Sequence, residues 1–403
     1  MRFESSRPLK GRELAAFALA VAFSLGMVTF VLALPPPGKA DTSLGYTFLT
    51  FGQWDDVSPA WSPNGKTIAY ASDQNGVWQI FIMKPDGSSS KAVTPTSYEA
   101  TDPSWSPDSS SLAFWTQSGP RTDVRVLFLV NSTIETITPG SYSVLQSQLR
   151  WSPDGERLLF FASTNETVLM SYDVRTGVSS TVATALGGNV SASWASPTEV
   201  VYPSGGAQGK LLWADVVNGT GGVLLQGNAS FLSPIVSTSA SRVAYISNLV
   251  PQNPYGFLYP GAYVDGDFDL WVEGLDGSNA TFQYGLVPLN GEAMPGLQPW
   301  QLYPSPFTPG IIDPVQNLAW SPNGETIAYV SLDSHGSPQV YLWDVVEWAS
   351  TTVPLAQSIT NSTDPSWGPD GVSLLFASAQ GGFYHIVVMN SSGVAKPLPY
   401  AVR

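Results

Sequence analysis

The sequence contains no cysteine and only two histidines among its 403 residues. Without cysteine there can be no disulfide, no thiolate metal site and no cysteine nucleophile. His335 lies in the turn-like segment DSHGS and His385 in a strand-like run, and neither has a metal-ligating residue at useful spacing. Charge is scarce: Asp, Glu, Lys and Arg make up 12% of the chain, about half the usual share of a soluble domain. Basic residues are the scarcer kind, 17 against 31 acidic ones, for a net charge of −14. Residues 1–40 carry five Lys/Arg and two Glu, which leaves −17 on residues 41–403. Such a surface repels nucleic acid and lacks the basic footprint that phosphate recognition needs. It favours cationic partners and metal ions. Gly-x-Ser-x-Gly, Walker and Gly-x-Gly-x-x-Gly motifs are absent. With no recognisable catalytic constellation, the chain is expected not to be an enzyme and to require no cofactor.

The N-terminus stands apart from the rest. Residues 14–34, LAAFALAVAFSLGMVTFVLAL, are uncharged and apolar, about the length that crosses a bilayer as a helix. Arg2, Arg7, Lys10 and Arg12 precede this run, so the positive-inside rule keeps residues 1–13 in the cytoplasm and exports the chain beyond residue 34. Pro35, Pro36 and Pro37 end the helix and open a linker over 35–45. The segment is expected to be a single-pass anchor in the cell membrane. The alternative is a signal peptide cleaved near Gly38 and Ala40, giving a secreted protein. Eight Asn-x-Ser/Thr sequons, at Asn131, Asn165, Asn189, Asn218, Asn228, Asn279, Asn361 and Asn390, fit a glycosylated extracellular surface. Asn, Ser and Thr also gather in turns for purely local reasons.

A repeat fills residues 46–403. SPAWSPNGKTIAY (58–70), DPSWSPDSSSLAF (102–114), QLRWSPDGERLLF (148–160), NLAWSPNGETIAY (317–329) and DPSWGPDGVSLLF (364–376) are five clear copies. SASWASPTEVVY (191–202) and SPIVSTSASRVAY (233–245) are two degenerate ones. The anchor position reads Trp61, Trp105, Trp151, Trp194, Val236, Trp320 and Trp367, at spacings of 44, 46, 43, 42, 84 and 47. A period of roughly 40–50 residues is that of a propeller blade. Within each copy the anchor ends one strand, Ser-Pro-Asp/Asn-Gly supplies a turn, and an apolar–Ala–aromatic run starts a second strand. A third strand comes next, as in VWQIFIM (77–83) and FYHIVVM (383–389), then a more polar outer one, as in SKAVT (90–94). The fold expected is all-β: a single propeller of about seven four-stranded blades over 46–403, behind one N-terminal helix. The anchor tryptophans are read as packing between blades. The 84-residue step is read as insertions in blade five, at 249–266 and 285–316. YTFLTF (46–51) and AKPLPY (395–400) compete to close the ring against Phe383–Met389.

These copies resemble the TolB-type propeller repeat, a relative of the WD repeat, whose pattern runs Asp-x-Pro-x-Trp-Ser-Pro-Asp-Gly and then apolar–Ala–Tyr. The fourth and fifth copies depart from it, since Trp194 lacks the Pro-Asp-Gly turn and Val236 replaces the tryptophan. The resemblance implies a propeller, and such propellers also precede the hydrolase domain of prolyl-oligopeptidase-like enzymes. The chain up to Arg403 is expected to hold the propeller alone.

Three features are candidates for binding. Asp56, Asp102, Asp313 and Asp364 enter innermost strands and are expected to ring a channel mouth, unless they merely bond local backbone as Asx turns. Asp265, Asp267 and Asp269, with Asp276 further on, mimic a calcium loop, although Leu270 takes the glycine position and the closing Glu is an Asp. The insertions are rich in aromatics, including Tyr255, Phe257, Tyr259, Tyr263, Trp300, Tyr303 and Phe307, and suit a partner surface. The function expected is a membrane-tethered scaffold binding protein or glycan at the cell surface. The alternatives are a structural subunit of a surface layer or filament, and a propeller enzyme with a metal in its channel.

Overall fold

The computed structural model describes residues 45–391 apart from 120, 139–142, 164–165, 185, 187–190, 205–208, 228–230, 248–268, 277–280, 284–317, 333–336, 347–348 and 353–359. The apolar segment 14–34, both aromatic insertions and AKPLPY lie outside the described residues. Among those described, no helix is long and apolar enough to cross a membrane.

The described residues form seven four-stranded antiparallel sheets. Blade one runs from Asp56–Trp61 to Lys91–Ala92, blade two from Glu99–Trp105 to Thr133–Thr136, and blade three from Ser143–Trp151 to Val178–Ala183. Blade four runs from Ser193–Trp194 to Gly221–Gln226, blade five from Phe231–Ser237 to Thr281–Gln283, and blade six from Ala319–Trp320 to Ala349–Thr352. Blade seven takes its three inner strands from Thr360–Trp367, Ser373–Gln380 and Phe383–Asn390, and its outer strand from Tyr46–Phe48. Tyr46 pairs with Met389 and Phe48 with Val387. YTFLTF is therefore the closing strand. The seven innermost strands touch in unbroken cyclic order, from blade one round to blade seven and back.

Burial reflects the radial stacking. Second strands such as Ile68–Ser72 are buried at every residue because a neighbouring blade covers each face. The outer strand Lys91–Ala92 is exposed. The cores are shared between blades: one cluster joins Ile68 and Tyr70 of blade one, Leu112 and Phe114 of blade two, and Leu375 and Ile386 of blade seven.

The repeat motif has a local cause. In blade one the Ser62 hydroxyl donates to Asn64 Oδ1 and accepts from the Thr67 amide, both at 2.9 Å, while Gly65 adopts φ +69°. The same bracket recurs at Ser106/Asp108, Ser152/Asp154 and Ser321/Asn323. Pro fixes the turn's entry and Gly its left-handed residue.

The long step between blades divides into two parts. Residues 248–268 separate the second and third strands of blade five. Residues 284–317 fall after that blade's outer strand and before blade six. The second insertion is thus a connection between blades and not part of blade five.

Candidate functional site

The anchor tryptophans are placed by inter-blade hydrogen bonds. Five of the six anchor indoles donate through Nε1 to the carbonyl just before the anchor of the preceding blade: Trp105 to Ala60 (3.1 Å), Trp151 to Ser104 (3.1 Å), Trp194 to Arg150 (2.9 Å), Trp320 to Ile235 (3.2 Å) and Trp367 to Ala319 (3.1 Å). Where Val236 replaces the indole, its own amide donates to Ser193 Oγ at 2.9 Å. These five indole N–H groups are thereby committed to the ring, while the rings of Trp61, Trp105, Trp151, Trp320 and Trp367 border the channel mouth beside their strand neighbours.

At the anchor end of these strands the channel opens into a cavity of about 620 Å³, within the range of ligand sites. Two layers of side chains line it. One layer precedes each anchor by one residue and reads Ala60, Ser104, Arg150, Ile235, Ala319 and Ser366 around the mouth. The other precedes it by three and includes Ser58, Asp102, Gln148 and Asp364. The charged and polar groups come from blades seven, one, two and three, whereas blades five and six contribute Ile235, Val236, Leu318 and Ala319. The mouth is amphipathic across its width.

The backbone turns the outer layer. Ser58, Asp102, Ser233 and Asp364 have φ of +50°, +52°, +48° and +55°, each directly before a proline and inside a register shift. Serine and aspartate tolerate this region better than β-branched residues do. Asp102 does not form a local Asx turn. Its Oδ1 accepts from Ser58 Oγ of the preceding blade at 2.8 Å, and Oδ2 accepts from Thr101 Oγ1 at 3.1 Å. Part of the residue meets channel solvent, yet protein crowds the carboxyl closely enough that desolvation raises its pKa against these two bonds.

The four aspartates grouped by the sequence do not share one place. Asp102 and Asp364 line the mouth. Asp313 lies outside the described residues. Asp56 is 1% exposed and sits inside the seam between blades one and seven, where His385, itself 4% exposed, places Nδ1 3.9 Å from Asp56 Oδ2. Neither Asp56 oxygen nor His385 Nδ1 has a hydrogen-bond partner among the described residues. Ring closure thus gives His385 an acidic neighbour that linear spacing did not show. Of the calcium-like segment only Asp269, Leu270 and Asp276 fall within the described residues. Among the sequons, Asn131, Asn218 and Asn390 are exposed and Asn361 is half-buried with φ +51°; the other four are not described.

Arg150 is the functional candidate that sequence reasoning missed. It occupies a column that elsewhere reads Ala, Ser, Ser, Ile, Ala and Ser. Its guanidinium donates through Nη2 to Gln148 Oε1, while Nε is buried without a partner. Among the described residues it makes no ion pair, and desolvation pulls its pKa down to about 10. The signal was a lone cation in a column of small residues, visible once QLRW is set beneath SPAW and DPSW.

No group of three or more His, Cys, Asp or Glu suited to a metal ion occurs among the described residues. Asp102 and Asp364 supply two carboxylates and Arg150 an opposing cation, a donor set that does not fit a channel metal.

Comparison with known proteins agrees with the architecture. Residues 43–199 match the model of the TolB beta propeller domain. A TolB homolog of Protochlamydia amoebophila is 35% identical over 65 residues, and the Tol-Pal system protein TolB of Alcanivorax borkumensis is 32% identical over 70. These alignments cover 16% and 17% of the chain but only 14% and 16% of those relatives. Among solved structures, oligogalacturonate lyase of Vibrio parahaemolyticus superposes with a TM-score of 0.61 at 11% identity, over 87% of this chain and 94% of its own. An oligogalacturonate lyase solved with manganese gives 0.60 at 12% identity, over 86% and 92%. A puromycin-hydrolyzing peptidase of Mycobacterium tuberculosis gives 0.58 at 10%, over 90% and 54%.

The expectation that the chain is not an enzyme is overturned by these last neighbours, because oligogalacturonate lyases share this fold over most of their length and a peptidase shares it over about half. A propeller channel draws its groups from blades far apart in sequence, so no contiguous motif announces a site there. The described residues form a seven-bladed propeller of four-stranded sheets, and residues 43–199 match the TolB beta propeller domain.

Proposed function

We propose that this chain is an extracytoplasmic propeller, tethered by residues 14–34, that binds a protein or glycan partner through the mouth of its channel. The observation that carries this reading is the cavity itself: about 620 Å³, amphipathic, and lined by polar and charged side chains on one arc and apolar ones on the other. The positively flanked apolar segment supports export, and the exposed sequon residues Asn131, Asn218 and Asn390 suit a glycosylated outer surface. Ser104 lines the mouth, and Ser104→Trp would fill it with a large ring. Cross-linking on intact cells is expected to capture a partner with the parent chain and lose it with this variant, the far-ultraviolet circular dichroism being unchanged. Undiminished capture by a folded Ser104→Trp protein would refute the mouth as the docking site.

A second reading is favoured by one observation, the raised pKa of Asp102 beside the cavity. A carboxyl whose pKa is raised is suited to proton transfer, and the fold is one that carries enzymes. If the chain turns over a substrate, Asp102→Asn should abolish that turnover; retention of the full rate would remove Asp102 from it.

A further inference from the structure

The inner layer of the mouth holds one charge. Around it stand Ala60, Ser104, Ile235, Ala319 and Ser366, and among the described residues Arg150 is the one cation that lines the cavity. Arg150 is half-buried there, and among the described residues it has no carboxylate partner to offset the part of its charge that is withdrawn from water. Its Nε–H is buried and unpartnered, and its one described bond goes to a neutral amide. A purely packing role would be served better by the alanine or serine of the other blades. The fork geometry of arginine suits a planar anion held by two parallel bonds.

The rest of the mouth restricts which anion. Asp102 and Asp364 stand on the same arc and repel a polyanion, but they accept from N–H donors. The facing arc of Ile235, Val236 and Leu318 is apolar. Anchor tryptophans, among them Trp61, Trp151 and Trp367, also border the cavity, so an acidic sugar is the competing ligand. One carboxylate, neighbouring N–H donors and an apolar side chain describe the last residues of an extended peptide.

We propose that Arg150 captures the C-terminal carboxylate of a peptide, with the peptide's amides on the Asp102–Asp364 arc and its terminal side chain against Ile235, Val236 and Leu318. This rests on the mouth being the docking site and adds the chemistry of what docks.

The test uses the exported propeller and three probes: acetyl-Ala-Ala-Leu as the free acid, the same peptide as its C-terminal amide, and glucuronate, titrated calorimetrically. The free acid is expected to bind about tenfold or more tightly than the amide, the scale of a charge-assisted bond. Arg150→Gln should bring the acid down to the level of the amide. The melting temperature should hold or rise in that variant, since a desolvated cation is removed; a fall of several degrees would indicate a structural arginine and overturn the proposal. Equal binding of acid and amide, binding of neither, or binding of glucuronate with neither peptide would also overturn it. Loss of partner capture in Ser104→Trp together with undiminished capture in Arg150→Gln would leave the docking site standing and remove the carboxylate anchor.

Discussion

Five seams of the ring and its closing seam solve the same problem differently. Between blades one and two, two and three, three and four, five and six, and six and seven, an indole N–H reaches across to a backbone carbonyl. At the seam between blades seven and one that bond is missing. Trp61 Nε1 is buried without a partner, and the Trp61 amide makes only a long contact of 3.4 Å to Ser366 Oγ. The closing seam relies on other groups: the Tyr384 amide donates to Asp55 Oδ1 (2.8 Å), the Ile386 amide to Thr50 Oγ1 (2.9 Å), and the Leu49 amide to the Ile386 carbonyl (2.8 Å). The difference reflects chain connectivity. Consecutive blades other than five and six are held close by a short linker, and a single repeated bond suffices to set their angle. The last seam joins residues more than 300 positions apart and must offset a larger loop-closure entropy, which it does with strand pairing and side-chain acceptors that the repeat does not encode.

This contrast can be broken most severely by removing the closing strand. A chain starting at residue 52 loses the pairing of Tyr46–Phe48 with Phe383–Asn390 and the acceptor Thr50. The expected cost is several kcal/mol, on the order of 3–5, from exposed core and unpartnered amides. Hydrogen exchange should show residues 383–390 losing protection first; uniform protection would mean that the ring does not depend on this strand.

A finer comparison sets two tryptophans against each other. Trp151→Phe deletes an indole bond and strands the Ser104 carbonyl, at a cost of about 1–3 kcal/mol beyond the change in packing. Trp61→Phe removes an N–H with no partner to lose, so the same substitution should cost about 1 kcal/mol or less. Equal losses in chemical denaturation would contradict the assignment of the closing seam as different.

The smallest effect is in pH dependence. Desolvation raises the pKa values of Asp55, Asp102 and Glu273. A raised carboxyl pKa favours the folded state below the raised value, and this contribution is lost as pH climbs through it. Turn aspartates such as Asp108, Asp173 and Asp215 are lowered by hydrogen bonds; they favour the fold above the ordinary carboxylate range and lose that contribution as pH falls. Stability should therefore peak at mildly acidic pH. Asp102→Asn combined with Glu273→Gln should flatten the alkaline side of a melting-temperature profile, and an unaltered slope would count against this origin.

The sequence made the blades legible and left their relations obscure. Trp105, Ser106, Asp108 and Phe114 act through neighbours within one copy or the adjacent one, so a repeating period exposes them. Blade five shows the limit. Val236 hides its anchor, and residues 284–317 look like part of the blade until the outer strand Thr281–Gln283 is seen to precede them. Asp56 and His385 are 329 positions apart and meet only because the ring closes, so no local spacing announces them. Asp56 and Asp102 seemed equivalent as aspartates near an anchor, yet Asp56 precedes Trp61 by five residues and Asp102 precedes Trp105 by three. Two residues of offset carry one into a buried seam and the other into the channel. Arg150 was in view throughout, but a deviation from a repeat gains meaning only when the column it breaks is known to face a cavity.

The central functional claim is that partners enter at the mouth, and a photo-cross-linking amino acid placed at Ser104 tests it most directly, with one at the turn residue Asp86 as its counterpart on the outer rim. Irradiation of intact cells should yield partner adducts from position 104 and none from position 86. Adducts from position 86 alone would place recognition on the outer rim and contradict the account.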